Sequence, residues 1–172
     1  NLGSITDYVY RCNDMEDPYD PIGGHRPRGF NEWLALYRNF AVLGSKLTVD
    51  FGYNQGSATS YDMYVSIILN DTNSAISNKG VVQESLRRRY KVLTASDSKA
   101  KLISKYSWRL NSTKDIMDDP DQWGDISNPP AKKWYYHVLG YQTAAATEET
   151  VTFTGYIDFT VMLFHPKMPN QS

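Results

Sequence analysis

The stretch His25–Phe51, HRPRGFNEWLALYRNFAVLGSKLTVDF, decides the fold expected for this chain. Its first half carries apolar residues at i, i+3, i+4 and i+7, as on one side of a short helix: Phe30, Trp33, Leu34 and Tyr37. Asn31 is placed to be the N-cap, with Glu32 near the positive end of the helix dipole. From Leu43 the apolar period changes to two, which places Leu43, Leu47, Val49 and Phe51 on one face. The stretch therefore predicts a helix, a tight connection and a long half-buried strand.

Six further segments have the alternation or apolar content of strands: Ser4–Asn13, Tyr61–Asn70, Leu86–Thr94, Lys99–Leu110, Lys133–Tyr141 and Thr150–Phe164. Tyr61–Asn70 is the most apolar, so we expect it at the centre of a sheet. The connection Ser96–Ser98 is short enough for a hairpin. An eighth strand has two candidate positions, Lys79–Gln83 and the insertion Asn111–Pro130. Strands without long helices between them favour an all-β antiparallel sandwich or barrel.

The insertion carries the signals of a capped helical turn. Asp119 stands at the N-cap position, Pro120 at the first helical position and Gln122 two residues later, ahead of Trp123. We therefore expect a helical insertion near residues 112–128.

Length and composition favour one domain spanning residues 1–172. The single cysteine, Cys12, excludes an internal disulfide framework and a zinc site built on Cys pairs. No apolar run approaches the roughly 18–20 residues of a membrane helix, so no membrane partner is expected. The net charge of −1 calls for no nucleic-acid partner by itself. Because the sequence starts at Asn1 and not at Met, we expect a trimmed or processed form.

Residues for catalysis or metal binding do not form a recognisable pattern. His25, His137 and His165 lie on separate predicted elements, without metal-ligand spacing, so we expect no enzyme and no cofactor. Two acidic clusters remain: Asp14, Glu16, Asp17 and Asp20, and Asp115, Asp118, Asp119, Asp121 and Asp125. They are either solvated turn residues or a structural calcium site shared between subunits, since calcium takes roughly six to eight oxygen ligands.

Positive charge is concentrated between Lys79 and Lys114, where ten Lys or Arg face two acids. The candidate contacts to nucleic acid alternate along the two strands of this segment: Arg87, Arg89, Lys91, Lys99, Lys101, Lys105 and Arg109. Two interpretations remain open. The residues could protect the edges of a sheet, or they could bind phosphate, which requires positive charge but no base recognition.

The organising stretch also has a specific order of residues. A loop H-x-P-x-G-F is followed by Trp and Tyr at helical spacing and then by V-x-G-S-K-x-x-V. The residues concerned are His25, Pro27, Gly29, Phe30, Trp33, Tyr37, Val42, Gly44, Ser45, Lys46 and Val49. This order resembles the capsid proteins of small circular single-stranded DNA viruses, the circovirus-like (CRESS-DNA) group.

The resemblance implies a single jelly-roll antiparallel β-sandwich. It also implies self-assembly into a small icosahedral shell of sixty copies around a circular single-stranded DNA genome. The location implied is the virion, and the host nucleus during assembly. Capsid proteins of the group usually begin with a long Arg-rich arm, which this sequence does not show. We therefore expect assembly of an empty shell, with genome binding falling mainly to the missing arm.

One other class of protein fits the composition. A soluble, lectin-like β-sandwich could use Tyr and Trp as platforms for a sugar, and the sequence contains 13 Tyr and 4 Trp. A hydrolase on a jelly-roll scaffold would need a His-based metal site, for which the spacing is missing.

Overall fold

The computed structural model describes residues 5–19, 26–54, 62–110, 112–142 and 150–168. The strands are β1 (Ile5–Arg11), β2 (Tyr37–Asn54), β3 (Met63–Asn70), β4 (Arg88–Leu93), β5 (Lys99–Ser107), β6 (Trp123–Gly124), β7 (Tyr135–Gln142) and β8 (Thr150–Pro166). The helices are α1 (Phe30–Leu36) and α2 (Lys79–Glu84), with 3-10 turns at Trp108–Leu110, Ile116–Asp118 and Pro120–Gln122. No helix in these ranges is long and apolar enough to cross a membrane.

The strands form two antiparallel sheets. The first sheet has the order β1-β7-β3-β4. In the second sheet β2 lies between β8 on one side and β5 on the other, with β6 pairing beside the start of β2. The chain passes repeatedly from one sheet to the other, as in a jelly roll. The predicted all-β jelly-roll sandwich, with a short helix before its long second strand, is therefore confirmed.

The main core lies between the two sheets. It includes side chains from α1, from β2 and from the central strands β3 and β7, several of them fully buried, such as Leu34, Phe40, Val65, Ile67 and Tyr136. β3 is flanked by β7 and β4, so the expectation that Tyr61–Asn70 lies centrally is confirmed. Cys12 is also fully buried in this core.

The start of α1 differs from the expectation in its cap. The residue at the N-cap position is Gly29, in the left-handed region with φ 85°, and not Asn31. Asn31 lies within the helix and accepts a hydrogen bond from Arg26. Phe30 and Leu34 are buried as expected, whereas Trp33 is 55% exposed. A helix of only seven residues buries a narrow stripe, and Trp33 lies outside that stripe.

The predicted face of the long strand is wrong at Leu43. The pairing of β2 with β8 shifts between Val42 and Gly44, which marks a β-bulge. A bulge adds one residue to a strand and reverses the alternation beyond it. Val42 and Leu47 consequently face the main core, while Leu43 packs on the outer side against the insertion residues Ile116 and Trp123.

The predicted hairpin of two basic strands is wrong. β4 pairs with β3 in the first sheet, whereas β5 pairs with β2 in the second. The turn after Thr94, closed by reciprocal backbone bonds between Thr94 and Asp97, carries the chain from one sheet to the other. The predicted strand Lys99–Leu110 also ends earlier, at Ser107, and continues as a 3-10 turn.

The proposed strand at Lys79–Gln83 is wrong as well, because these residues begin α2. The side chain of Asn78 caps that helix by accepting a hydrogen bond from the backbone N–H of Gly80, and Val82 is its buried residue. The helical insertion is confirmed by two 3-10 turns. Pro120 opens the second turn, but the Asp119 side chain does not cap it and binds Lys132 instead.

Candidate nucleic-acid interface

The lysines of β5 lie on the outer face of the second sheet. Residues of β5 alternate strictly between buried and exposed, with Ala100, Leu102, Ser104 and Tyr106 facing inward. Lys99, Lys101 and Lys105 are exposed on the opposite side. The strict alternation confirms that these three lysines share one face, as the sequence predicts.

Strand pairing brings further charges to this face. Lys105 lies opposite Lys46 of β2, and Lys101 lies opposite Asp50. Lys46 in turn lies opposite Asp158 of β8. We call the set Lys46, Lys99, Lys101, Lys105, Asp50 and Asp158 the outer face. Four lysines against two aspartates leave it with a net charge of +2.

Two ion pairs cross the outer face. Lys46 Nζ lies 2.9 Å from a carboxylate oxygen of Asp158, and the hydrogen bond to this carboxylate raises the pKa of Lys46. Lys101 Nζ lies 3.5 Å from Asp50 Oδ1. Exposed pairs of this kind contribute little to stability. Among the described acids none forms an ion pair with Lys99 or Lys105, so these two cations are available to an external anion.

The basic residues of β4 lie at the edge of the first sheet. Arg89 and Lys91 pair with Ile67 and Val65, so they point to the same side of the sheet as these core residues. At the edge strand this direction leads into solvent, and Arg89 is exposed. Inward-pointing charge of this kind blocks edge-to-edge pairing.

Lys91 connects this edge to the outer face. Its Nζ lies 2.8 Å from Asp97 and donates a hydrogen bond to the carbonyl of Lys99. The two halves of the predicted basic segment therefore meet at this corner, although they belong to different sheets.

The two outlying arginines stack on tryptophans. The Arg87 guanidinium lies 5.1 Å from the centre of the Trp134 ring, and that of Arg109 lies 5.3 Å from the Trp108 ring. Arg109 follows the far end of β5, roughly 30 Å from Lys99 at about 3.3 Å per residue. Arg109 therefore lies beyond the end of β5, and Arg87 lies next to the β4 edge.

Sequence reasoning missed part of this surface. Lys46 was noted only as a motif residue, and neither Asp158 nor the 55% exposed Tyr156 was assigned to a site. The alternation of each strand shows which way these side chains point. Only the pairing register, which joins residues more than a hundred positions apart, shows that they are neighbours.

The motif residues of the stretch His25–Phe51 help to hold the two sheets together. The Ser45 hydroxyl donates to the carbonyl of Cys12, and the Tyr136 hydroxyl donates to the carbonyl of Ser45. These bonds tie β2 to the first sheet across the core. Burial raises the pKa of Tyr136, so this hydroxyl remains a donor over a wide pH range.

The remaining motif residues support the same region. Gly44 lies at the bulge, where an added Cβ would stand 3.0 Å from the carbonyl oxygen of Tyr106. Val42 is buried, Tyr37 is half-buried at the start of β2, and Pro27 lines a cleft described below. His25 lies outside the described residues.

The acidic residues are paired with cations or with backbone groups. Arg11 binds Asp14 at 3.0 Å and Asp17 at 3.6 Å, and Arg26 binds Glu16 at 2.8 Å. Burial raises the pKa of Asp14, against the opposing effects of the Glu16 backbone N–H and of Arg11.

The second acidic cluster behaves in the same way. Asp119 binds Lys132, and Asp125 accepts hydrogen bonds from the backbone of Ser127 and from Asn128. Within the described ranges no three His, Cys, Asp or Glu side chains are grouped to hold a metal ion. Asp20 lies outside these ranges. A calcium site shared between subunits stays a prediction.

The described histidines have separate surroundings. His137 is fully buried, with Nδ1 2.8 Å from Asp7 and Nε2 2.8 Å from the carbonyl of Thr72. His165, at φ 55°, contacts Asn39. The contacts of both histidines are structural. His137 belongs to β7 and His165 to β8.

Comparison with solved structures finds virus particles. A chain from the naturally occurring empty particles of cowpea mosaic virus top component is 11% identical, with a TM-score of 0.46, over 99% of this chain and 83% of that chain. A chain of broad bean stain virus is 12% identical, with a TM-score of 0.46, over 100% and 92%. One of sacbrood virus of honeybee is 14% identical, with a TM-score of 0.45, over 96% and 96%. No protein-family model and no curated protein matches the chain.

Proposed function

We propose that this protein is a viral capsid protein whose jelly-roll domain assembles with copies of itself into a closed shell. The observation that carries the proposal is the distribution of exposed apolar residues. Trp33 and Leu36 on α1 are 55% and 59% exposed. Two other groups lie elsewhere on the chain: Val81, Leu86 and Tyr90 on and after α2, and Leu110, Met117 and Ile126 around the insertion.

Exposed apolar residues that cluster mark interaction sites. A protein with one partner needs one such patch, whereas a shell subunit contacts several neighbours at once. The three groups, on three separate elements, are what a shell subunit with several neighbours would need. The jelly roll supplies a rigid frame from which α1, α2 and the insertion project.

The finer assignment is supported by the sequence resemblance alone. It gives a circovirus-like capsid protein, sixty copies in the shell, a circular single-stranded DNA genome, and assembly in the host nucleus. The outer face and the basic β4 edge supply the positive charge that contact with a genome needs. We propose a structural and not a catalytic role.

The sugar-binding alternative has less support. A sugar platform needs aromatic rings that converge on one place. Tyr90 pairs with Ser66 and points to the outer side of the first sheet, whereas Tyr156 lies on the outer side of the second. Two further exposed rings lie on other elements, Trp33 on α1 and Tyr8 on β1.

Light scattering coupled to size-exclusion chromatography, followed by negative-stain microscopy, tests the proposal. We expect a megadalton species with uniform round particles, assembled from the 19.6 kDa chain. The double variant Trp33→Glu/Leu36→Glu should lose the particle, because it places charge in an apolar contact. The matched control is Ser74→Glu/Ser96→Glu, which adds the same charge at two exposed polar positions outside the three groups.

A chain that stays monomeric over a wide range of salt and pH would contradict a capsid function. Particles that form equally well from both double variants would contradict the role given to α1.

A further inference from the structure

Within the part of the chain that the structure describes, β8 is an edge strand of the second sheet. β8 pairs with β2 over its whole length, from Thr150 opposite Asn54 to Pro166 opposite Tyr37. No described segment pairs with its other side. Among the described residues, β8 is therefore the strand at this end of the second sheet.

The other edges of the sandwich are protected. β4 carries Arg88, Arg89 and Lys91, and β5 carries Lys99, Lys101 and Lys105. The end of the β1 edge is covered by the loop that follows it, since the backbone N–H of Arg11 donates to the carbonyl of Pro18 and Tyr10 bridges to Tyr19. Charge and cover of this kind prevent edge-to-edge pairing.

β8 has little charge, and no described segment covers its outer edge. Between Thr150 and Phe164 its only charged residue is Asp158, and that charge is paired with Lys46. Proline comes only at its end, at Pro166. A long, alternating and nearly uncharged edge strand is a template for another strand.

The inward side chains of β8 are incompletely covered. They contact the main core but stay only partly buried: Val151, Phe153, Ile157, Phe159, Val161 and Leu163. A cleft of about 350 Å³ opens beside them. Its lining includes Phe153, Ile157 and Phe159 of β8 together with Tyr10, Tyr19 and Pro27. A strand added beside β8 would cover this cleft.

We propose that a second copy of this chain occupies the edge, through an antiparallel β8–β8 pair about a two-fold axis. The inference depends on strand order and edge chemistry, and not on the proposed capsid function. The pair would join the two second sheets into one continuous sheet and bring the apolar stripe of each copy over the cleft of the other.

The chemistry of β8 favours a second copy as the occupant. An antiparallel self-pair sets Thr and Tyr side chains of the outer side against one another, from Thr152, Thr154, Tyr156 and Thr160. Opposed Thr pairs and aromatic–β-branched pairs stabilise sheets. The single Asp158 of each copy retains Lys46 as its partner, so like charges do not repel. The same pairing through β4 or β5 would oppose rows of Lys and Arg.

Sedimentation equilibrium on charged variants is the first test. We expect Thr152→Lys/Thr154→Lys/Thr160→Lys to weaken self-association at least tenfold, because like charges come to face each other across the pair. The control Ser96→Lys/Ser107→Lys/Thr113→Lys adds the same three charges at exposed positions off β8 and should associate like the unmodified chain. Circular dichroism verifies that both variants fold.

Distances between spin labels give the geometry. Cys12 is fully buried, so Thr152→Cys, Tyr156→Cys or Thr160→Cys adds one accessible thiol at a time. In an antiparallel two-fold pair, moving the label by four residues changes the offset between the two copies by about 26 Å, since each residue rises about 3.3 Å. The distance between the two labels should therefore fall toward the two-fold axis and rise again beyond it, whichever register the pair adopts.

The outcomes separate this inference from the proposed function. A monomer at high concentration would assign the edge to another occupant, such as a different stretch of polypeptide, and would overturn the proposal. Particles that the triple lysine variant still forms would also overturn it while leaving a capsid function intact. A β8-paired dimer that never forms particles would support the β8–β8 pairing and contradict the proposed capsid function.

Discussion

At the scale of single residues, Gly29 shows how a backbone requirement enters the sequence. It is the one described glycine with a positive φ, 85°, and it stands where the loop enters α1. A Cβ added there would approach only Trp33, at 3.8 Å, which is an ordinary contact. Any cost of substitution is therefore conformational and not steric.

Gly29→Ala should lower the free energy of unfolding by about 1–2 kcal/mol, the cost of a non-glycine residue in the left-handed region. Urea unfolding followed by tyrosine and tryptophan fluorescence measures it, as a lower midpoint at unchanged slope. The control is Gly140→Ala in β7, where a Cβ meets no atom within 4 Å. Since glycine weakens a strand interior, this variant should be neutral or slightly more stable. Equal losses in both variants would show that Gly29 is not special.

At the scale of elements, the insertion between β5 and β7 depends on carboxylates. The Trp123 indole donates to the carbonyl of Ile116, which links β6 to the turns before it. Lys132 closes the segment by binding Asp119, and its backbone N–H donates to the carbonyl of Asp121. The hydrogen bond from Lys132 lowers the pKa of Asp119 below 3.8, and the hydrogen bond from Asn128 does the same for Asp125.

These pKa directions predict acid lability. Because the pKa of Asp119 is lower in the folded state, the unfolded state takes up its proton first as the pH falls. Asp119 contributes fully to stability at pH values above about 3.8, its usual pKa. This contribution is lost as the pH falls through the lower pKa that Asp119 has in the folded state. Urea midpoints measured from neutral pH down to about pH 2.5 should fall less steeply in Asp119→Asn than in the unmodified chain.

Asp62→Asn serves as the matched control, since Asp62 is exposed and precedes β3. It should keep the pH profile of the unmodified chain. Identical profiles for all three proteins would refute the part given to the Lys132–Asp119 pair.

At the scale of the whole molecule, local pattern and long-range pairing contribute different information. Period-two alternation was enough to find β3, β5 and β8, because each has one face toward the core. Alternation could not tell that β4 and β5 lie in different sheets, since a three-residue connection suits a hairpin and a corner between sheets equally well. The bulge at Val42–Gly44 was also hidden, because Leu43 is apolar on either face and fits both registers.

The candidate interface, too, is predictable in part from local pattern and in part only from strand pairing. That Lys99, Lys101 and Lys105 share a face follows from β5 alone. That Lys46, Asp50 and Asp158 join them depends on the pairing of β2 with both neighbours. The open edge of β8 was beyond sequence reasoning for a related reason: an unpaired strand and a paired one have the same alternation.

The division of the basic residues between two sheets makes the nucleic-acid hypothesis separable by mutation. If the outer face binds phosphates, Lys99→Gln/Lys101→Gln/Lys105→Gln should weaken binding of a fluorescent single-stranded DNA. It should also reduce the slope of log affinity against log salt by about 1.4, at about 0.7 for each of the two lysines that pair with no described acid. Arg87→Gln/Arg89→Gln/Lys91→Gln should have a smaller effect, because Arg87 stacks on Trp134 and Lys91 already binds Asp97.

The charge-matched control Arg28→Gln/Arg38→Gln/Lys114→Gln removes exposed cations elsewhere. An equal change of slope in all three variants would show that the outer face acts only through general positive charge and is not a specific binding site. If the unmodified chain does not bind DNA, the role that is left for these lysines is protection of the sheet edge.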